Sequence, residues 1–336
     1  MIDLTAVTGM KGDIALRIDR NPDFFQLLNL RGESKVFVAL DGDTIIGSIC
    51  ISFQQVYVGG QIFPLLYIGD FKVAASHRNR GIGLELCNQM ANYVVPADCD
   101  LSFLNVAKGN DKPFSFFTNR PHIPDFETIG LFVIHQFLGK KKLARHPQHK
   151  IEESPVTEEL IRYLNARYSQ YELGPVITKD KLEGTHLLVI REDKEIIAAI
   201  CLADTMAVKQ NVVMRLSVKL KILIKILNAF SWLTGFSKMP QLNEPVRMIY
   251  IKYMAVKDNR QDLVKFIAHY ARNRVYEKGY SFVSIGLHER DPLNQCFSGL
   301  FKLTFKSVGM LLSIKNNKNL IEKVKQGIPF EDYSLV

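Results

Sequence analysis

The sequence has 336 residues, 47% of them hydrophobic, and a formal net charge of +9. A chain of this length and hydrophobicity can form two domains with separate cores. The positive charge favours an anionic partner such as a phosphate-bearing cofactor, nucleic acid or a membrane face. However, the basic residues are scattered apart from Lys140, Lys141 and Lys142, which argues against a nucleic-acid-binding tract.

Cysteine usage and the N-terminus indicate a cytoplasmic location. The five cysteines are odd in number and show neither a CxxC pattern nor Cys/His spacing for a metal, so we expect reduced thiols and no metal site. Residues 1–16 lack a basic flank followed by an apolar core, which predicts no secretory signal. No uncharged apolar stretch of ~18 residues is present, so we expect no membrane-spanning helix.

Taken in chain order, the predicted elements occur twice. Residues 35–53 form an apolar run, a charged turn and a second apolar run, which predicts a β-hairpin, and residues 186–204 repeat this pattern. Residues 66–73 and 249–256 each predict a strand, followed by a helical pattern and another apolar strand (101–106 and 281–286). Because the order is the same in both halves, we interpret the chain as an internal repeat rather than a chance similarity.

The repeat predicts two units, at residues 1–145 and 150–336, joined by a polar linker within residues 139–159. The hairpins align 151 positions apart and the following strands 183 positions apart. The second copy therefore contains 32 additional residues, which we place at about 206–238.

The segment between the strand and the helix of the first copy carries the strongest functional signal. Arg78, Gly81 and Gly83 lie in a tight turn after Val73 and before a helical pattern over residues 84–94. The first N–H groups of a helix have no internal partner and attract anions, and glycine lets the backbone approach a phosphate. Arg78 and Arg80 add positive charge. The turn predicts a phosphate-binding site.

In this context the sequence resembles the GCN5-related N-acetyltransferases (GNAT superfamily). Their [Q/R]-x-x-G-x-[G/A] motif after the fourth strand is matched by Arg78, Gly81 and Gly83, and the resemblance covers roughly residues 36–117. It implies that the turn holds the pyrophosphate of acetyl-CoA or another acyl-CoA. The implied cofactor-binding residues are Phe71, Val73, Arg78, Asn79, Arg80, Gly81, Ile82 and Gly83.

Two other classes of phosphate-binding protein are alternatives to the acetyltransferase resemblance. A dinucleotide-binding fold is excluded because its G-x-G-x-x-G motif follows the first strand, whereas this motif follows several strands and has two glycines. A different phosphate-binding α/β protein remains open. The resemblance predicts the α/β fold class, with two tandem GNAT-like units whose mixed, mainly antiparallel sheets carry helices on both faces.

The second copy is expected to keep the fold and lose the cofactor site. Position for position, Gln261, Val264 and Phe266 replace Arg78, Gly81 and Gly83, and bulky side chains then stand where the backbone would approach a phosphate. This arrangement of one working and one degenerate copy resembles the N-myristoyltransferases and mycothiol synthase.

Asp70 is the candidate general base, because some family members place a carboxylate at this step of the strand. The alternative is a surface aspartate with no role. A proton-donating tyrosine is common in the family, but Phe117 and Phe301 stand at the corresponding positions. Other candidates for this role are Ser115, Tyr57, Tyr67 or solvent. In the N-myristoyltransferases the C-terminal carboxylate is the base, which would correspond here to Val336.

The additional segment predicts an amphipathic helix over residues 215–236. Its apolar stripe consists of Leu216, Leu220, Leu223, Leu227 and Phe230, with lysines on another sector. Three roles remain open: a helix packed on the core, a lid over the substrate, and an interfacial helix that gives peripheral membrane contact.

The sequence thus predicts an N-acetyltransferase that moves acetyl from acetyl-CoA to a primary amine by direct attack. No cysteine or serine lies in a nucleophile motif, so we expect no covalent enzyme intermediate. The acceptor would be a small molecule or a peptide, and we expect no nucleic-acid partner and a monomer or weak dimer. The alternative is a non-catalytic acyl-CoA-binding or scaffold protein with the same fold.

Overall fold

A computed structural model describes residues 14–118, 121 and 123–336. Residues 1–13, on which the expectation of no secretory signal largely rests, lie outside the described residues. Among the described residues, no helix is both long enough and apolar enough to cross a bilayer.

The first half is built mostly from long strands. Its elements are β1 (Ile14–Asp19), α1 (Gln26–Arg31), β2 (Glu33–Asp41), β3 (Thr44–Val58), β4 (Gln61–Val73), a 3₁₀ turn (Ala75–His77), α2 (Ile82–Val94), β5 (Leu101–Ala107), α3 (Asp111–Phe116) and β6 (Glu127–Leu138).

The second half repeats this order with the expected addition. Its elements are β7 (Glu152–Glu153), α4 (Glu158–Tyr168), β8 (Gly174–Pro175), α5 (Lys179–Leu182), β9 (His186–Glu192), β10 (Glu195–Ala203), β11 (Gln210–Leu216), α6 (Val218–Ala229), α7 (Ser231–Thr234), β12 (Met248–Val256), a 3₁₀ turn (Lys257–Asn259), α8 (Gln261–Glu277), β13 (Phe282–His288), α9 (Leu293–Cys296), β14 (Leu303–Ser313) and α10 (Lys318–Gln326).

Both predicted hairpins are confirmed. Strands β2 and β3 pair antiparallel across the turn between Asp41 and Thr44, and β9 and β10 pair antiparallel across the turn between Glu192 and Glu195. Short turns of this kind suit antiparallel neighbours because the chain reverses within a few residues. The predicted mixed α/β fold class is also confirmed.

A 12-stranded sheet joins the two halves of the chain. Its order is β2-β3-β4-β5-β14-β6-β13-β12-β10-β9-β7, with β8 pairing with β3. Strand β14 of the second half lies between β5 and β6 of the first, and β6 pairs with β14 and β13. The domain ranges 1–145 and 150–336 stay a prediction. Strands of the two halves alternate in the sheet where the halves meet, at β5, β14, β6 and β13.

Each half contains one pair of parallel strands that separates along its length. Strands β4 and β5 pair only from Leu65 with Leu101 to Ile68 with Leu104. Strands β12 and β13 pair only from Met248 with Phe282 to Tyr250 with Ser284. The carboxyl ends of both pairs are therefore separated, and we call each gap a cleft.

The helix after each cleft packs on the sheet through its apolar face. Helix α2 buries Leu86, Cys87 and Val94 against a cluster that includes Ile49, Ile68 and Met310. Helix α8 is longer and buries a continuous face against β10, β12 and β13. Packing of these helices fixes where their N-termini lie relative to the clefts.

The prediction of one amphipathic helix over residues 215–236 was partly wrong. Residues 210–216 form β11, which pairs with β1 in a separate two-stranded sheet, and helix α6 begins only at Val218. Ile224 takes the buried position, whereas Leu223 and Phe230 of the predicted stripe are half exposed. Leu216 belongs to strand β11 rather than to the helix. Helix α6 therefore turns a different set of residues toward the core than the predicted helix would.

Candidate functional site

The turn between β4 and α2 opens the N-terminus of α2 to an anion. Asn79 and Gly81 adopt left-handed backbone angles, with φ of 62° and 81°. Gly81 is the N-cap of α2 and makes no side-chain capping hydrogen bond. The first N–H groups of α2 therefore stay available, and the helix dipole favours negative charge in front of them.

The two motif glycines are required for different reasons. A Cβ atom on Gly81 would meet nothing within 4 Å, so its positive φ, rather than space, favours glycine there. A Cβ atom on Gly83 would lie 3.0 Å from Cζ of Phe71 and 3.3 Å from Cε2 of Phe116. Gly83 thus lets α2 pack against these rings, which refines the expectation that both glycines serve backbone contact with phosphate.

The two arginines of the turn are exposed beside the helix terminus. Arg78 Nε donates to the carbonyl oxygen of Val73 at 3.2 Å, which ties the turn to the end of β4. Arg80 and Asn79 are likewise exposed. Their positions fit charge-assisted contacts to a diphosphate.

Strand β4 carries a β-bulge at the start of the cleft. Ser48 pairs with Lys72 and Cys50 pairs with Gly69, so β4 has one residue more than β3 in this interval. Asp70 lies in the bulge with φ of 48°, and Ser48 Oγ donates to its carbonyl oxygen at 3.0 Å. After Ile68, β4 continues to pair with β3 but no longer pairs with β5. Its other edge near Phe71 and Val73 therefore faces the cleft.

The Asp70 carboxylate is buried between two cations. Oδ2 accepts from Arg20 at 2.5 Å and Oδ1 from Lys72 at 3.4 Å. Burial lowers the pKa of Lys72, although Asp70 opposes this. Both carboxylate oxygens are engaged, so accepting a proton from an amine requires one of these partners to give way.

The sequence reasoning missed Arg20 and Lys72. Lys72 lies two residues after Asp70 on one strand, and that spacing could have indicated a shared face. Arg20 is 50 residues away, and nothing in the pattern points to it.

A second buried lysine, Lys209, was also missed. Its Nζ donates to main-chain oxygens of Ser334 at 3.4 Å and Val336 at 2.5 Å. Burial lowers the pKa of Lys209 to about 7. Asp70 and Arg20 are among the charged groups that act on it, so Lys209 belongs to the same polar region.

The two phenylalanines and the three side chains considered for proton donation lie in different parts of the structure. Phe117 is buried, with its ring centroid 5.5 Å from that of Phe71, whereas Phe301 is exposed beside Phe236. Tyr57 donates to Asn165 at 3.0 Å, and Tyr67 is buried beneath the Arg31 guanidinium. The remaining candidate, Ser115, is exposed on α3.

The C-terminal segment supplies a hydroxyl that the sequence did not suggest. Tyr333 is hydrogen-bonded to Asn105 Nδ2 at 2.7 Å and to Ser307. Asn105 is the first residue of β5 beyond its pairing with β4. Burial raises the pKa of Tyr333 and keeps its proton in place.

In the second copy, the predicted positions of Val264 and Phe266 at the helix start were wrong. Four residues separate β12 from α8, whereas eight separate β4 from α2. Helix α8 therefore begins a turn earlier, and Val264 and Phe266 are buried within it.

The N-terminus of α8 already carries an anion. Asp262 forms an ion pair with Arg260 at 2.9 Å, and its Oδ2 lies 3.3 Å from Nε2 of His146 in the linker. The hydrogen bond from Arg260 lowers the pKa of Asp262 to about 2. A carboxylate held here repels a phosphate, so the N-terminus of α8 is less suited to bind one than the N-terminus of α2.

The cleft between β12 and β13 is filled by the C-terminal segment. Phe330, Glu331 and Tyr333 line the same small cavity as Lys252 and Gly286. A Cβ atom on Gly286 would lie 1.9 Å from Cδ2 of Tyr333, so the ring rests directly on β13.

The cysteine thiols are poor candidates for a nucleophile. All five lie in the described residues, are buried and form no disulfide. Burial raises the pKa of Cys99 and of Cys201 to about 11 each, which disfavours the reactive thiolate. Within the described ranges, no group of three or more His, Cys, Asp or Glu side chains is placed to hold a metal ion.

A strand bulge, a diverging parallel strand pair and a glycine-capped helix N-terminus together define an acyltransferase fold of the GNAT type, present here as two tandem units. Residues 12–119 match the model described as "Acetyltransferase (GNAT) family". The matched segment contains the turn and helix α2 and makes up about a third of the chain.

One solved structure supports this assignment of the fold, and a second is reported beside it. N-Myristoyltransferase of Saccharomyces cerevisiae with bound myristoyl-CoA aligns at 10% identity and TM-score 0.56, covering 88% of this chain and 75% of that one. A GCN5-related N-acetyltransferase of Anabaena variabilis aligns at 12% identity and TM-score 0.49, covering 87% of this chain. This chain spans 66% of the length of the Anabaena protein. No curated protein matches the sequence significantly.

Proposed function

We propose that this protein is an acyl-CoA-dependent N-acyltransferase that transfers acetyl from acetyl-CoA to a primary amine. The observation that carries the proposal is the N-terminus of α2, capped by Gly81 at φ 81° beside the exposed Arg78 and Arg80. In this arrangement the N–H groups and arginines bind the pyrophosphate. The unpaired edge of β4 at Phe71 and Val73 then receives the pantetheine arm and the thioester.

The proposed reaction is a direct attack. The neutral amine nitrogen forms a bond to the thioester carbonyl carbon, the carbon–sulfur bond breaks, and coenzyme A leaves as the thiolate. A backbone N–H on β4 stabilises the developing oxyanion. Asp70, directly or through water, accepts the amine proton once an ion-pair partner gives way. Solvent returns a proton to the thiolate.

A second candidate function is acyl-CoA binding without turnover. It is favoured by Phe117, which packs in the core where a donor tyrosine is common. The two functions are separated by release of free thiol from acetyl-CoA and myristoyl-CoA across a panel of small amines and peptides. Release with any amine supports transfer, and binding of both thioesters without release on the whole panel supports the alternative.

The cofactor site is tested by replacing Gly81→Val and measuring coenzyme A binding by calorimetry. A branched side chain at positive φ distorts the turn and projects into the open space before α2, so we expect at least a tenfold loss of affinity, on the order of 1.4 kcal/mol.

Gly184→Val is the matched control. Gly184 also has positive φ, at 70°, and a Cβ atom there would meet nothing within 4 Å. It should lose comparable stability and keep its affinity for coenzyme A. Unchanged binding by Gly81→Val would remove the basis for the proposed site.

A further inference from the structure

Helix α6 is apolar on two opposite faces. Leu220, Ile224 and Leu227 pack into the core beside β11 and β12. The opposite face presents a ladder at four-residue spacing, with exposures of 73%, 55%, 51% and 53% for Val218, Ile222, Ile226 and Phe230. In a helix that only covers a core, this outer face would be polar.

The exposed apolar side chains are concentrated in this region. Trp232 and Leu233 of α7 are 79% and 67% exposed, and Leu223 adds a seventh side chain. Seven of the nineteen large exposed apolar side chains among the described residues thus lie within residues 218–233. We define Val218, Ile222, Leu223, Ile226, Phe230, Trp232 and Leu233 as the α6–α7 face. A contiguous patch of this kind indicates a binding surface.

The segment that carries the α6–α7 face is basic. The chain contains six basic residues and no acidic residue between Asp204 and Glu244. Lys219, Lys221 and Lys225 are exposed on α6 itself. The 140–142 lysine run is adjacent, because the N–H of Lys141 donates to the carbonyl oxygen of Gly235 at 2.8 Å.

We propose that the α6–α7 face docks on an anionic phospholipid bilayer, with α6 parallel to the membrane surface. A helix of 12 residues is about 18 Å long, too short to span a hydrocarbon core of about 30 Å. The Val218–Phe230 ladder inserts below the headgroups, the lysines extend their ammonium groups to lipid phosphates, and Trp232 lies at headgroup level.

Charge complementarity favours a bilayer over a second copy of this chain. A symmetric dimer through the α6–α7 face would bring the three α6 lysines of each copy close together, which is electrostatically unfavourable. An anionic lipid surface satisfies the apolar ladder and the lysines together.

Trp232 offers a direct probe, because it is the only tryptophan in the chain. The full chain is mixed with vesicles of phosphatidylcholine alone or of equimolar phosphatidylcholine and phosphatidylglycerol. We expect a blue shift of the tryptophan emission and co-sedimentation with the anionic vesicles only. Both effects should weaken as salt is raised, since screening reduces the lysine contribution.

Two variants test the apolar and basic parts separately. Ile222→Ser/Ile226→Ser should abolish co-sedimentation, whereas the control Leu30→Ser/Ile62→Ser, at positions of similar exposure elsewhere, should bind as the unmodified protein does. Replacing Lys219, Lys221 and Lys225 with Gln should weaken anionic-vesicle binding by about fivefold per lysine. Thermal melts confirm that each variant is folded.

Three outcomes overturn the proposal. They are no emission shift with either vesicle, equal binding to neutral and anionic vesicles, and self-association in sedimentation velocity that Ile222→Ser/Ile226→Ser abolishes without any vesicle binding. The last outcome would assign the α6–α7 face to a second copy of the chain.

Discussion

At the residue scale, Lys209 shows how burial changes the chemistry of a charged group. Its Nζ donates to main-chain oxygens of Ser334 and Val336, and the charges of Arg20 and Asp70 act on it. Removing an ammonium from water favours the neutral amine. The pKa of Lys209 is accordingly lowered from 10.5 to about 7.

This shift predicts a pH dependence of stability. Between pH about 7 and about 10.5, Lys209 is protonated in the unfolded chain and neutral in the folded protein. The free energy of unfolding therefore rises with pH in this range, by up to ~1.4 kcal/mol per pH unit. Lys209→Met should remove this slope in urea titrations at pH ~7.5 and ~9. Lys238→Met, at an exposed position, should keep it, and an unchanged slope in Lys209→Met would show that Lys209 does not titrate in this range.

At the scale of elements, the bulge in β4 links the sheet to the proposed chemistry. The additional residue turns the strand at Asp70, places this carboxylate between Arg20 and Lys72, and coincides with the point where β4 leaves β5. Strand β12 also has a register shift in its pairing with β10, near Lys252, so each half bends its sheet before its cleft.

Asp70→Asn tests the bulge and the proposed base together. Asparagine tolerates the left-handed angle at this position, so the backbone should persist, but loss of the anion leaves Arg20 and Lys72 as buried cations. We expect a loss of about 3–5 kcal/mol in unfolding free energy, retained coenzyme A binding, and turnover reduced about 10²–10⁴-fold.

The double variant Arg20→Met/Asp70→Asn provides the control. It should recover part of the lost stability, because one uncompensated cation is gone, and it should not recover turnover. Turnover at the unmodified rate in Asp70→Asn would assign Asp70 a purely structural role.

At the scale of the whole molecule, exchange of strands makes the two halves dependent on each other. Strand β6 has β14 and β13 as its neighbours, and both come from the second half, while β5 takes β14 as its outer neighbour. Strand β1 pairs with β11 in the additional segment, which adds a second connection between the halves.

We therefore expect residues 1–145 expressed alone to be insoluble or unfolded, because β6 loses both neighbours and β5 keeps an open edge. Co-expressed fragments 1–145 and 146–336 should co-purify and unfold in a single transition. The intact chain cleaved only after residue 145 is the control and should behave like the co-expressed pair. A soluble, cooperatively folding 1–145 fragment would contradict this dependence.

Much of the fold and part of the site could be predicted because they depend on local pattern. The hairpins, the strand before the turn and the helix after Gly83 follow from periodicity and glycine placement within about 20 residues. The partners of Asp70 could not be predicted, since Arg20 lies on a distant segment. Val264 and Phe266 were misplaced because residue counting cannot detect a turn shortened by four residues.

The sequence by itself determined the repeat, the hairpins and the glycine-containing turn before α2, because side-chain period and backbone freedom act over short distances. Only the tertiary structure decided that β14 lies between β5 and β6, that the C-terminal segment fills the second cleft, and that a ladder of α6 stays exposed. These features arise from pairing and packing between residues far apart in the chain, where the local pattern carries no information about the partner.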